Sequence, residues 1–251
     1  MKNDIFCVDE LENMPDGITN LICMNKHVFE SWWKNANGEE YIEASSTSFR
    51  NNEAYELYRV LESYLACRKI RAYHATRLID KNEVLENGLV PLKTEQHIER
   101  INNVLMKKGV PPKVRNSVSE TIRKFSKETE RDTGTISLFN SFSQYENRYY
   151  VFSEVYGGEV VSSSIERDFP EEFKILSEVG FPTLIYCLVD WSRMDNIYRV
   201  SCIQTIISAI LSRYFLDNND IEASELRISG KIETSSIEKI EDMTYVYQGK
   251  N

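Results

Sequence analysis

Three short segments hold the residue types that chemistry requires. Tyr73-His74-Ala75-Thr76-Arg77 joins an imidazole, a hydroxyl and a guanidinium at the end of a predicted strand, Lys69 to Tyr73. Strand ends and the loops after them are where sites tend to sit. Asn147 to Glu159 concentrates aromatic rings beside a small hydroxyl, followed by Gly157-Gly158, a pair that reads as a turn or as a phosphate cradle. Ala223 to Ile240 starts a strand at Glu225, and Glu222 or Glu233 takes that place if the register slips. A carboxylate ionised at neutral pH can steady developing positive charge and help deprotonate a nucleophile. Singly, each has an ordinary reading: His74 as a core histidine, Arg77 as a surface cation, Glu225 as a strand-start carboxylate.

The elements that must position these residues are legible in part. After the Lys69 to Tyr73 strand, Asp80-Lys81-Asn82-Glu83 resembles a capping box, opening a short helix that stops at Gly88. Ile98, Ile101, Val104 and Leu105, then Val114, Val118, Ile122 and Phe125, recur at helical spacing on either side of Gly109 and Pro111-Pro112. They predict a helical hairpin inserted between strands. Strand-like runs follow at Tyr149 to Ser153, Thr183 to Val189, Glu225 to Ser229 and Thr244 to Gln248. Along Tyr149 to Ser153, alternation puts Tyr150 and Phe152 on one face and Tyr149, Val151 and Ser153 on the other, so which ring meets a ligand stays open. Ile203, Ile206, Ile207, Ile210, Leu211 and Tyr214 mark an amphipathic helix. The class is α+β, a mostly antiparallel sheet with inserted helices. Residues 1–68, with a Trp32-Trp33 pair and a helical run Leu57, Val60, Leu61, Tyr64, Leu65, read as an N-terminal helical appendage, and 69–251 as the catalytic domain.

In this order, the three segments resemble the motifs of ADP-ribosyltransferases of the diphtheria-toxin-like group, which includes poly-ADP-ribose polymerases and, closest in motif pattern, the DNA-modifying DarT toxins. The carriers are a strand ending in H-x-T with a short helix closing on G-L, an aromatic and small-hydroxyl segment, and a Glu-initiated strand followed by a G-x-I turn. The resemblance covers about the last 180 residues. It implies split antiparallel sheets, with NAD+ as co-substrate and no metal. His74 would bond a ribose hydroxyl, the backbone at Ala75 the nicotinamide amide, Thr76 would support the turn, and Arg77 would offer donors to the pyrophosphate. Tyr150, Ser153 and Tyr156 would flank the nicotinamide, and Glu225 would be the catalytic glutamate. The second Glu or Gln that the family often carries two residues earlier is Ala223 here, which speaks against arginine-directed transfer but not against NAD+ cleavage.

The implied activity is NAD+-dependent mono-ADP-ribosyl transfer of the toxin or defence type. The acceptor is nucleic acid, DNA or RNA, in the favoured reading; a protein side chain, plain NAD+ hydrolysis and a non-catalytic binding module are the alternatives. The acceptor argument rests on charge. The chain carries a net -9, which speaks against wrapping nucleic acid with its whole surface. Residues 107–131 nevertheless hold 8 basic against 3 acidic residues. Lys107, Lys108, Arg123 and Lys124 would track a phosphate backbone there, with Phe142, Tyr145 or Tyr149 stacking a base. A toxin-type enzyme also implies a cognate inhibitor or antitoxin as partner.

Composition bounds the remainder. Of 251 residues, 41% are hydrophobic and 27% charged, an ordinary globular mixture. Cys7, Cys23, Cys67, Cys187 and Cys202 are scattered without a C-x-x-C pair, and are expected to be buried thiols rather than a disulfide framework or zinc site. Met1 to Glu10 lacks the pattern of a secretory signal and no apolar run is long enough to span a bilayer, so a cytoplasmic protein without membrane contact is expected.

Overall fold

The computed structural model describes residues 5–29, 53–129, 134–143, 149–216 and 224–245. The chain is a mixed α+β protein of two compact units. The first comprises Met1–Ala72, Ser137–Gln144 and Leu188–Ile228; the second comprises Tyr73–Ile136, Tyr145–Cys187 and Ser229–Asn251. The strands are β1 (Ile5–Phe6), β2 (Lys69–Leu78), β3 (Thr135–Phe139), β4 (Phe181–Asp190), β5 (Glu225–Ser229) and β6 (Ile237–Asp242). They hydrogen-bond in the order β5-β3-β2-β4-β6, with β1 paired to β2.

In the first unit, β1 runs parallel to the start of β2, Ile5 opposite Lys69 and Phe6 opposite Ile70. Among the described residues the α-helices of this unit are α1 (Asp16–Met24), α2 (Glu53–Leu65) and α8 (Asn196–Leu211). α1 and α2 both pack on α8. Its buried residues include Val200, Cys202, Ile203, Thr205, Ile206, Ala209 and Ile210, which wrap around the helix rather than forming one stripe. The expectation of an amphipathic helix with one apolar face is corrected accordingly: a helix covered on several sides is apolar on several sides. Tyr214 lies beyond it in a π-helical turn, Ser212–Leu216, and is 54% exposed. On α2 the buried positions are Tyr58, Leu61 and Leu65, while Val60 and Tyr64 face outward. Trp32 and Trp33 lie outside the described residues.

In the second unit, α3 (Asn82–Asn87) ends at Gly88, whose φ is 71°. Its start is held by the Asp80 carboxylate, which accepts the Asn82 N–H at 2.9 Å, a local turn bond in place of the expected capping box. The hairpin α4 (Thr94–Lys107) and α5 (Pro112–Glu128) forms as its periodicity requires. It buries Ile98, Ile101, Leu105, Val118 and Ile122 against Val155, against Val161 and Ile165 of α6 (Gly158–Ile165) and against Leu176 of α7 (Pro170–Ser177). Each such side chain contributes roughly 1.5–3 kcal/mol on burial, so this insert is part of a core. β6 pairs antiparallel with β4, Ile185 opposite Ile240, with a register shift between Tyr186 and Cys187.

Three strand expectations change. The predicted strand at Tyr149 to Ser153 is a 3-10 helix. The closing strand is Ile237–Asp242 rather than the later T-Y-V-Y-Q run; Val246 to Gln248 of that run lie outside the described residues. β3, a five-residue T-I-S-L-F run, is an additional strand. Among the described residues no helix is long and apolar enough to cross a membrane.

Candidate functional site

The first motif sits inside β2, not at its end. The strand continues to Leu78, so Thr76 supports no turn. Alternation places Tyr73, Ala75 and Arg77 on one face and His74, Thr76 and Leu78 on the other. Tyr73 and Ala75 are buried, and His74, Thr76 and Arg77 are half-buried. The Tyr73 ring meets Tyr186 edge-on, centroids 5.1 Å apart, and the Tyr186 hydroxyl donates to Glu241 at 2.6 Å. At the far end of β2, Gly180 passes so close that a Cβ there would lie 2.1 Å from the Leu78 carbonyl oxygen.

Arg77 is engaged by backbone. Its Nε donates to the Val179 carbonyl at 2.7 Å, Nη1 to the carbonyls of Ser153 at 3.4 Å and Glu154 at 3.3 Å, and Nη2 to that of Gly180 at 3.4 Å. The donors expected to face a pyrophosphate instead clasp two loops to β2. That clasp ties the first motif to the second.

In the second motif, Ser153 is fully buried at the end of the 3-10 helix. Tyr150 belongs to the same helix, and its side chain lies outside the described residues. Tyr156 is half-buried against the hairpin core, and its N–H donates to the Leu176 carbonyl at 3.1 Å. Burial pushes the Tyr156 phenol up, against the pull of a hydrogen-bonded Arg100. Arg100 in turn pairs with Glu83 at 2.5 Å. Gly157 has φ 102°, and a Cβ there would lie 2.3 Å from Val161 Cγ2 and 3.0 Å from His97 Nε2. The Gly158 N–H donates to the Val155 carbonyl at 2.9 Å, so the glycine pair makes a turn packed by its neighbours. His97 is a residue that sequence reasoning passed over. Burial pushes its imidazole down to about 4, further than the Gly157 backbone restores it, so it is neutral at pH 7.

The third motif begins with a clamp. Asn140, just after β3, exchanges three hydrogen bonds with Ser224, just before β5. Glu225 then opens β5 with Leu226 and Ile228 turned into the core, so Glu225, Arg227 and Ser229 share the other face. The Glu225 carboxylate accepts from Arg227 Nε at 3.0 Å, and the Arg227 guanidinium lies over the Tyr198 ring at 5.6 Å. Of the two alternative carboxylates, Glu222 lies outside the described residues, and Glu233 pairs with Lys231 at 2.7 Å. After Gly230, Ile232 and Leu89 bridge each other, each N–H donating to the other's carbonyl at 2.9 Å. Gly88 is required at that approach, because a Cβ would lie 2.1 Å from the Ile232 oxygen. The G-L that closes the first motif therefore meets the G-x-I that follows Glu225. Glu225 belongs to the first unit; His74, Ala75, Thr76, Arg77, Tyr150, Ser153 and Tyr156 belong to the second.

The four expected acceptor contacts divide. Lys107 ends α4 and Lys108 follows it at the hairpin turn, whereas Arg123 and Lys124 lie near the far end of α5. At 1.5 Å per residue, Arg123 is about 15 Å along the helix from Lys113 at the turn. Arg123 is also paired bidentately with Glu95, at 2.6 and 2.9 Å, and it borders a groove of about 580 Å³ lined by Glu95, Glu99 and Glu120. Lys107, Lys108 and Lys113 are exposed around the turn, while Lys124 and Lys127 are exposed at the far end beside the paired Arg123.

Cys7, Cys187 and Cys202 are buried, as expected, but Cys23 is partly exposed and Cys67 exposed; all five are free thiols. Among the described residues no group of three or more His, Cys, Asp or Glu is placed to hold a metal ion. No family model, no curated protein and no solved structure matches the chain.

Proposed function

We propose that the chain is an NAD+-dependent mono-ADP-ribosyltransferase of the toxin or defence type with a macromolecular acceptor, its strands joined in one sheet rather than in the split sheets that the resemblance implies. The observation that carries the reading is the Leu89–Ile232 bridge. Two segments that the resemblance assigns to the first and third motifs close on each other, although more than a hundred residues separate them. A short helix stopping at Gly88 and a strand starting at Glu225 accompany it.

In this reading the bond broken joins nicotinamide nitrogen to the ribose, which leaves an electron-poor, oxocarbenium-like sugar, as in glycoside hydrolysis. The Glu225 carboxylate hydrogen-bonds a ribose hydroxyl, stabilises the developing charge and takes the proton of the acceptor as its new bond to ribose forms. Nicotinamide leaves with the bonding electron pair. His74 orients the ribose, the backbone at Ala75 holds the amide, and Tyr156, with Tyr150, shapes the nicotinamide side, while Ser153, fully buried, supports the segment from within rather than meeting the ligand. Arg77 serves as the clasp beneath them. The acceptor favoured is DNA or RNA approached by Lys107, Lys108 and Lys113; the second reading is a protein acceptor, and a cognate inhibitor or antitoxin is a partner consistent with either.

The test is incubation with labelled NAD+ and separate pools of DNA, RNA and protein, following free nicotinamide and the pool that gains label. Glu225→Gln is expected to abolish nicotinamide release with NAD+ binding retained, because the carboxylate acts on charge that exists only in the transition state. Release by Glu225→Gln at the wild-type rate would overturn the assignment. Binding of NAD+ without turnover in the wild type would point to a binding module, and nicotinamide release without labelling to a glycohydrolase.

A further inference from the structure

The Glu225 side chain is 45% accessible, so packing does not set its direction. What remains is its ion pair with Arg227 and the course of the backbone entering β5. Asn140 is bonded to the residue at which that course begins. Asn140 is fully buried. Its backbone N–H donates to the Ser224 carbonyl at 3.2 Å, its Oδ1 accepts the Ser224 N–H at 2.8 Å, and its Nδ2 donates to the Ser224 hydroxyl at 2.9 Å. Nδ2 also reaches Cys202 Sγ on α8 at 3.6 Å. Both donors and the acceptor of the side-chain amide are used.

The placement gives these bonds a specific effect. Asn140 follows the last residue of β3 and Ser224 precedes the first residue of β5, strands that are neighbours in the sheet order. The side-chain amide acts as one more peptide group, so pairing extends one residue past the strand and fixes the residue before Glu225. The stretch bearing Asn140 is itself held: the Asp9 carboxylate accepts the Phe142 N–H at 2.9 Å and the Ser141 hydroxyl. All of these residues belong to the first unit.

We infer that Asn140 is a positioning residue for Glu225, acting through Ser224 to set where the carboxylate stands. The inference rests on the reading of Glu225 as the catalytic carboxylate. Displacing a reacting group by about 1 Å can cost on the order of a hundredfold in rate, which is the leverage such a clamp has.

The experiment compares Asn140→Ala, Ser224→Ala and Glu225→Gln in the full chain, with nicotinamide release expressed per NAD+-binding site titrated by calorimetry. A smaller folded fraction then does not register as a slower enzyme. Asn140→Ala is expected to lower kcat per site at least tenfold while the Kd for NAD+ changes less than twofold. Ser224→Ala, which removes one of the three bonds, is expected to lower kcat by a smaller factor, about threefold or more, and decides the question if Asn140→Ala fails to fold. Wild-type kcat per site in a folded Asn140→Ala, or in Ser224→Ala where that one cannot be measured, overturns the positioning role. Weakened NAD+ binding with kcat preserved overturns it as well. If Glu225→Gln itself turns over at the wild-type rate, the assignment of Glu225 has failed and the inference falls with it; if Glu225→Gln is dead while the Asn140 variant is not, only the positioning role has failed.

Discussion

Replacing Arg77 by alanine separates two roles that one guanidinium cannot fill together. Of its four carbonyl contacts, one is a short bond, 2.7 Å to Val179, and three are long, at 3.3 to 3.4 Å. A hydrogen bond from a charged donor contributes about 1.5–3 kcal/mol, and bonds beyond about 3.2 Å contribute far less. Arg77→Ala should therefore destabilise the second unit by about 2–3 kcal/mol. For cooperative unfolding of the whole 251-residue chain that corresponds to a fall in Tm of roughly 5–10 °C. Arg77→Lys should recover part of this, since an ammonium can keep one carbonyl but not span both loops. Scanning calorimetry gives the shift, and hydrogen exchange at 154–156 and 179–181 locates it, because those segments lose their tie to β2. The NAD+ affinity of the folded variant should change little. A Tm within 1 °C of wild type together with a large loss of NAD+ affinity would refute the clasp and return Arg77 to the pyrophosphate.

Gly88→Ala should destabilise by a few kcal/mol, since left-handed backbone at φ 71° and a Cβ 2.1 Å from the Ile232 oxygen both oppose it; urea unfolding midpoints check this, and an unchanged midpoint would contradict the Leu89–Ile232 approach. His97 gives a pH dependence: its folded pKa of about 4 lies below the ordinary 6.5, so the unfolded chain takes up the proton first. The stability that neutral His97 contributes is complete above about pH 6.5 and is lost as pH falls toward 4; a Tm series from pH 7 to 4 should be flatter in His97→Gln than in the wild type, and parallel curves would refute the assignment. For the acceptor, Lys107→Gln, Lys108→Gln and Lys113→Gln together should weaken DNA or RNA labelling and reduce its salt slope by up to about 0.9 for each phosphate no longer neutralised. Arg123→Gln with Lys124→Gln should leave both nearly unchanged; the opposite pattern across a salt series would move the acceptor face to the far end of the hairpin.

Where local spacing decides the structure, the sequence was sufficient. The α4–α5 hairpin follows from apolar residues recurring every three or four positions and from Gly109 with Pro111-Pro112 between them, and the stop of α3 follows from a glycine able to take positive φ. Thr183 to Val189 was legible as a strand because it is a short, nearly continuous apolar run, and Glu225 to Ser229 because it alternates. The candidate carboxylate and the G-x-I turn after it were singled out by resemblance to a family motif, since spacing alone leaves Glu225 an ordinary strand-start carboxylate. Other features depended on partners far away in sequence. Tyr149 to Ser153 has the composition of a strand, yet it forms a 3-10 helix whose last carbonyl is taken by Arg77, 76 residues earlier. α8 reads in sequence as an amphipathic helix with one apolar face, and the packing of α1 and α2 helps to make its other faces interior. Arg77 is the same side chain whether it meets phosphate or carbonyl oxygen; its neighbours decide. Asn140 offers no signal at all in sequence, because an amide beside a strand end is unremarked until Ser224, 84 residues on, arrives opposite it. The residue types that could do chemistry, and most of the elements bearing them, were thus set by local spacing, while the groups those residues spend their hydrogen bonds on were set by tertiary contacts, since a donor is satisfied by whatever acceptor the fold brings within about 3 Å.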